Sequence, residues 1–145
     1  MEGLYLFAML ADTRIAVAAR EVEAVVRLSD ISPVPGMGAH IAGLSALRSR
    51  VLTIIDVAAL IRGMPTAQRQ RSFAIIADIA GHSYGLMVDG VSDICQVPGG
   101  ELPLHGQLDP TWAPYARGIV EQDAQPWLLV SLAAFIDGGA LAQAA

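Results

Sequence analysis

The chain has 145 residues, enough for one domain or two very small ones, and 54% of them are hydrophobic, ample material for a core. Charged residues make up 16%, the formal net charge is −5 and all nine basic residues are scattered arginines, so no basic patch is available to neutralise phosphates and nucleic acid is not an expected partner. Glu2 stands where a signal peptide carries positive charge and no apolar run reaches the ~18 residues of a membrane span, so the sequence predicts a soluble, cytoplasmic protein.

In chain order, LYLFAML (4–10) reads as an apolar strand, followed by a short polar turn and a second strand, RIAVA (14–18). A Val-rich stretch then runs into the Pro/Gly loop SPVPG (32–36). GLSAL (43–47) turns at Arg48 and Ser49 into VLTII (51–55), which leads into an Ala-rich segment predicted to be helical. RGMPTAQRQR (62–71) is a polar connector. The same series then recurs: FAIIADIA (73–80), YGLMV (84–88), the loop CQVPGG (95–100), and RGIVE (117–121), which turns between Gln122 and Gln125 into WLLV (127–130) and a second Ala-rich segment.

Residues 4–28 laid without gaps over 73–97 match apolar to apolar throughout, with Val22 on Val91. A second overlay, offset by 75, sets Gly43 on Gly118 and VLTIIDVAALI (51–61) along PWLLVSLAAFI (126–136). A repeated pattern constrains architecture more firmly than local propensity does. It predicts a mainly β fold over 1–138, a single domain of two pseudo-repeated β subdomains, roughly 4–61 and 73–136, joined by the connector 62–72, with a flexible tail at 139–145.

GHSYG (81–85) fits the G-x-S-x-G pattern in which a hydrolase exposes a nucleophilic serine between a strand and a helix. The triad order could be filled by Ser83, Asp93 and His105. Against this, the repeat equivalent is DTRIA (12–16), with neither Ser nor Gly, and the following YGLMVDGV alternates as a strand rather than a helix. The sequence therefore places Ser83 in a hairpin turn that Gly81 permits. His40, His82 and His105 are scattered and Cys95 stands alone, so no disulfide framework and no metal are predicted, and Cys95, among the apolar neighbours of VSDICQV, reads as a buried, inert thiol. Asp89 and Asp93 read as turn and solvent-facing residues rather than paired catalytic carboxylates. No phosphate loop is present, and no cofactor is expected.

GLSALRSRVLTIIDV (43–57), with VDGVSDI (88–94) downstream, REVEAVV (20–26), the Pro-Gly loop and the closing WLLVSLAAFI (127–136), resembles the CheW family of bacterial chemotaxis coupling proteins over about residues 4–136. The resemblance implies two SH3-like five-stranded β-barrels with short helices and a C-terminal helix. It also implies a non-catalytic adaptor, in the cytoplasm beside inner-membrane receptor arrays, joining the regulatory domain of a CheA-type histidine kinase to the cytoplasmic hairpin tip of chemoreceptors. Carried over by position, Val22, Gly43 and Arg48 are the implied receptor-binding residues; none is assigned to the kinase. The chain departs from the family pattern at Ala46 and Ser49, where Asn and Gly are usual, at Thr53, a common proline, and at Ala24, where a glutamate would pair with the arginine; Glu21 and Glu23 lie nearby. Replacing Gly by Ser disfavours positive φ and predicts an altered loop. The departures leave one alternative open, an accessory CheW-like adaptor of a non-chemotaxis signalling array; GHSYG alone leaves the other, a small serine hydrolase using Ser83.

Overall fold

A computed structural model describes residues 3–28, 30–36, 38, 40–64, 66, 73–104, 106 and 108–137. Most of the connector, His105 and the 139–145 tail lie outside the described residues. The fold is mainly β, as expected. Ten strands run in the order β1 (Gly3–Leu10), β2 (Thr13–Ala18), β3 (Ala24–Arg27), β4 (Ile41–Leu47), β5 (Arg50–Asp56), β6 (Phe73–Ile79), β7 (His82–Val88), β8 (Gly90–Val97), β9 (Ala116–Gln122) and β10 (Gln125–Val130). A 3-10 turn, Ala19–Glu21, leads toward β3; helix α1 (Val57–Arg62) follows β5, and residues 132–137 are helical after β10.

The strands form two five-stranded sheets, β8-β1-β2-β10-β9 and β3-β6-β7-β5-β4. This corrects the expectation that each half of the chain makes its own subdomain. The first half gives β1 and β2 to one sheet and β3, β4 and β5 to the other; the second half divides in the mirror manner. The repeat is real in backbone terms, but its two copies exchange hairpins. β10 meets β2 in parallel through Leu128↔Ile15, and β5 meets β7 in parallel through Thr53↔Tyr84, the same pair displaced along the repeat.

Burial explains why the sequence runs are continuously apolar rather than alternating. Alternate side chains of a strand point to opposite faces. On β1 and β2, Tyr5, Phe7, Ala16 and Ala18 pack inside the first sheet with Val97, Val120 and Leu129. Leu6, Ala8, Leu10, Ile15 and Val17 face the other way, into a larger cluster shared with Ile75, Leu86, Val88 and Phe135. On β6 and β7, Ala74, Ile76 and Met87 likewise fill the second sheet's interior with Leu52 and Ile54. Three cores result: one inside each sheet and one between them. Each fully buried Leu, Ile or Phe contributes roughly 1.5–3 kcal/mol.

The same backbone bridge recurs at both sheets. In one, Ser32 and Leu44 exchange backbone hydrogen bonds of 2.8 and 2.9 Å; in the other, Leu102 and Ile119 exchange bonds of 2.7 and 2.8 Å. The residue before each acceptor strand position is a glycine, for a steric reason. A Cβ on Gly43 would overlap the Ser32 carbonyl oxygen, and one on Gly118 would lie 2.6 Å from that of Leu102. Gly43 also sits at φ +145°.

The repeat extends to the helix caps. Asp56 accepts from Ala59 N at 3.2 Å and Ser131 Oγ from Ala134 N at 3.3 Å, each capping the helix after its sheet. Asp56 is fully buried, which is tolerable because it also accepts from Thr66 N at 2.8 Å and Thr66 Oγ1 at 2.6 Å. His40, which accepts a 2.7 Å bond from Asp56 N on its carbonyl, is 7% exposed, and burial lowers its pKa below the usual histidine value.

Two outcomes are expected. Gly43→Ala and Gly118→Ala should each lower stability by about 2–4 kcal/mol, read from urea midpoints, because a backbone carbonyl cannot step aside as a side chain can. Because folding lowers the His40 pKa, the unfolded chain takes up that proton first as pH falls through about 6.5, so the His40 contribution is intact above neutrality and lost below. His40→Gln should therefore flatten the fall in stability between about pH 7 and 5.

Candidate functional site

Where the chain passes from the first sheet to the second, a groove of about 530 Å³ opens beside the 3-10 turn. One wall is Arg20, Glu21, Val22 and Glu23; the other is Ala77, Asp78 and Ile79 of β6, with Leu132 and Ala133 at the end. Val22 is half-buried and packs against the shared core, so it offers one apolar surface between charged neighbours. Glu23 N donates to Ile76 O at 2.8 Å and fixes that wall to the sheet.

Arg50 ties the charged parts together. Its guanidinium lies 2.9 Å from Glu23 Oε2, donates to Ser83 Oγ at 3.3 Å and stands 3.7 Å from Asp78 Oδ1. Ser83 Oγ donates in turn to Asp78 Oδ1 at 2.7 Å. The hydrogen bond and charge of Glu23, then the charge of Asp78, raise the Arg50 pKa above the ordinary arginine range. On the far side of the 3-10 turn, Arg117 lies 3.8 Å from both Glu21 and Glu101.

The expected residues divide. Val22 lines the groove. Gly43 is buried at the closing bridge, where its role is backbone geometry. Arg48 is exposed at the tip of the β4–β5 hairpin, with no hydrogen bond or ion pair among the described residues. Among the described residues it meets no glutamate; the arginine of the β4–β5 hairpin that does is Arg50, which pairs with Glu23. Arg48 and Ser49 have φ of 49° and 71°, so the two-residue turn is made despite the missing glycine, against the expectation of a changed loop. The other hairpin turns follow suit, with positive φ at Ala11 and Asp12, Ala80 and Gly81, and Asp123 and Ala124. Asp78 was missed, although a lone carboxylate inside an apolar strand run is a visible signal.

Ser83 is not in the turn, which is Ala80 and Gly81, but in β7, across from Asp78. A strand follows it, so it is no nucleophile elbow. Asp93 is exposed on β8, and Asp89 Oδ2 accepts from Ala11 N at 2.8 Å, pinning the β1–β2 turn. His82 is exposed while His40 is buried. Cys95 is half-buried rather than buried, because β8 is an edge strand with one side uncovered. Among the described residues, no group of three or more His, Cys, Asp or Glu is placed to hold a metal, and no helix is long and apolar enough to cross a membrane.

The family model of the CheW-like domain matches residues 4–139. The chain belongs to the CheW-like family. It is 32% identical over 103 residues to the chemotaxis protein CheW of Rhizobium meliloti, covering 70% of this chain and 66% of that one. It is 29% identical over 126 residues to the probable chemotaxis protein CheW of Rhizobium etli (86% and 81% covered) and 25% identical over 104 residues to the chemotaxis protein CheW of Thermotoga maritima (72% and 68%). The crystal structure of the scaffolding protein CheW of Thermoanaerobacter tengcongensis superposes with a TM-score of 0.75 over 91% of this chain and 90% of that one, at 23% identity, which bears on the fold. This CheW-like chain thus shares its mainly β fold with a CheW scaffolding protein.

Ser83→Ala should leave ester hydrolysis at the level of a buffer blank and lower stability by under about 1 kcal/mol, because it removes only partly exposed hydrogen bonds. Turnover of p-nitrophenyl acetate and a urea melt check both.

Proposed function

We propose that this CheW-like protein is a non-catalytic adaptor that couples chemoreceptors to a CheA-type histidine kinase. The Val22 groove takes the helical hairpin tip of the receptor, and Arg48 reaches the same partner from the neighbouring hairpin. The observation that carries this reading is the groove itself: an apolar side chain presented between charged walls suits one face of an amphipathic helix. Arg48 supports it, because an exposed guanidinium with no partner among the described residues is suited to directed hydrogen bonds to another protein. Gly43 contributes through the backbone of the hairpin that carries Arg48.

Such a protein needs no chemistry of its own. Holding a receptor and a kinase side by side makes each further contact effectively intramolecular, so modest contacts suffice in an array. Signalling through it is then a coupling free energy between two sites. The adaptor works in the cytoplasm, at the inner face of the receptor-bearing membrane.

Co-sedimentation with receptor-bearing membranes and the cognate kinase tests the reading. Binding of both in the micromolar range is expected, and no association with either at tens of micromolar would refute it. Arg48→Glu should weaken receptor binding roughly tenfold while leaving the unfolding free energy from urea melts within about 0.5 kcal/mol of wild type, because the side chain is exposed.

A further inference from the structure

The Arg50 cluster invites a comparison that the repeat makes possible. Under the two overlays, Glu23 corresponds to Ser92, Asp78 to Met9, Ser83 to Arg14 and Arg50 to Gln125. These positions occupy the same places in the other sheet: Gln125 opens β10 as Arg50 opens β5, and Met9 pairs with Arg14 as Asp78 pairs with Ser83. Two of them, Met9 and Ser92, also border a quasi-equivalent hollow of about 150 Å³, lined besides by Ala8, Gly90, Val91 and Trp127. No glutamate–arginine–aspartate cluster is possible there, yet the same hairpins and sheet order form. The fold therefore does not require the Arg50 cluster.

What the cluster does hold together is the larger groove. Glu23 belongs to one wall and Asp78 to the other, and Arg50 reaches both from β5. We propose that Arg50 is a positioning residue for partner binding: it clamps the Glu23 and Asp78 walls, sets the presentation of Val22, and leaves the exposed Arg48, two residues away, to face the partner. This rests on the adaptor reading above. The planar fork of arginine suits the task, since one guanidinium can engage Glu23 through one nitrogen and Ser83 with Asp78 through another. The three charged side chains are 40–56% exposed, so the clamp is expected to yield to salt.

The test has two independent arms. In the first, amide hydrogen exchange is measured on the whole chain without any partner. Arg50→Ala should speed exchange at Glu23, whose N–H is bonded to Ile76, by roughly 2- to 5-fold, and leave the quasi-equivalent Ser92 unchanged. Wild type in 1 M NaCl should move toward the variant, and Arg50→Lys, which keeps the charge but not the fork, should fall between. In the second arm, affinity is measured for a soluble chemoreceptor hairpin-tip fragment encoded in the same genome. Arg50→Ala should weaken binding by a similar factor, with a smaller loss for Arg50→Lys.

Unchanged exchange at Glu23 would overturn the proposal whatever the partner. Faster exchange with unaltered affinity would also overturn it, showing a clamp that binding does not use, while the adaptor reading stands. If wild type itself fails to bind the fragment, the receptor assignment of the groove falls and the proposal falls with it; the exchange arm then still reports whether Arg50 clamps the two walls.

Discussion

The hairpins β1–β2 and β6–β7 carry apolar side chains on both faces, and a strand of that kind must be covered twice before it is stable in water. Each hairpin meets this demand by lying in the middle of a five-stranded sheet, with one face toward the sheet's own interior and the other toward the shared core. Much else follows from it. Neither half of the chain can complete a sheet alone, the two sheets cannot separate without exposing Leu6, Ile15, Ile75 and Leu86, and the crossing segments between sheets are forced to the surface. One of those crossings, residues 19–23, builds a wall of the groove.

Quasi-symmetry supplied two equivalent crossings, and the side chains made them different. At one, Val22 sits among Arg20, Glu21, Glu23 and Asp78. At the other, Val91 sits among Met9, Ser92 and Trp127, over a much smaller hollow. Identical backbone logic with unlike surfaces is an economical route to an adaptor, which must distinguish one partner from another while using a single rigid body. The rigid part is set by burial and by the bridges at Gly43 and Gly118. The part that differs between the two crossings is set by exposed charges, which cost the fold little either way.

Several features were legible in the sequence for identifiable reasons. Alternation and turn residues located the hairpins, because side-chain period and turn chemistry are local properties. The repeat was visible because both copies keep the same apolar positions. GHSYG could be set aside as a hydrolase elbow from its repeat partner and from the strand pattern that follows it, and β7 bears this out, though Ser83 lies two residues past the turn rather than in it. The exposure of Cys95 was misjudged because an edge strand looks, in one dimension, like any other. Ser49 was expected to deform its turn, but tertiary pairing of β4 with β5 holds it at positive φ regardless.

The sequence by itself determined which segments would be strands, where four of the turns would fall and that the two halves would match, since these depend on neighbours a few residues apart. It also named Val22 and Arg48 as surfaces of interest through resemblance. Only the tertiary structure decided which strands share a sheet, because the two halves offer chemically equivalent partners and one-dimensional pattern cannot tell pairing within a copy from exchange between copies. For the same reason it alone revealed that Arg50, not Arg48, meets the glutamate: that contact joins residues 23, 50, 78 and 83, which only the exchange of hairpins brings within reach of one guanidinium.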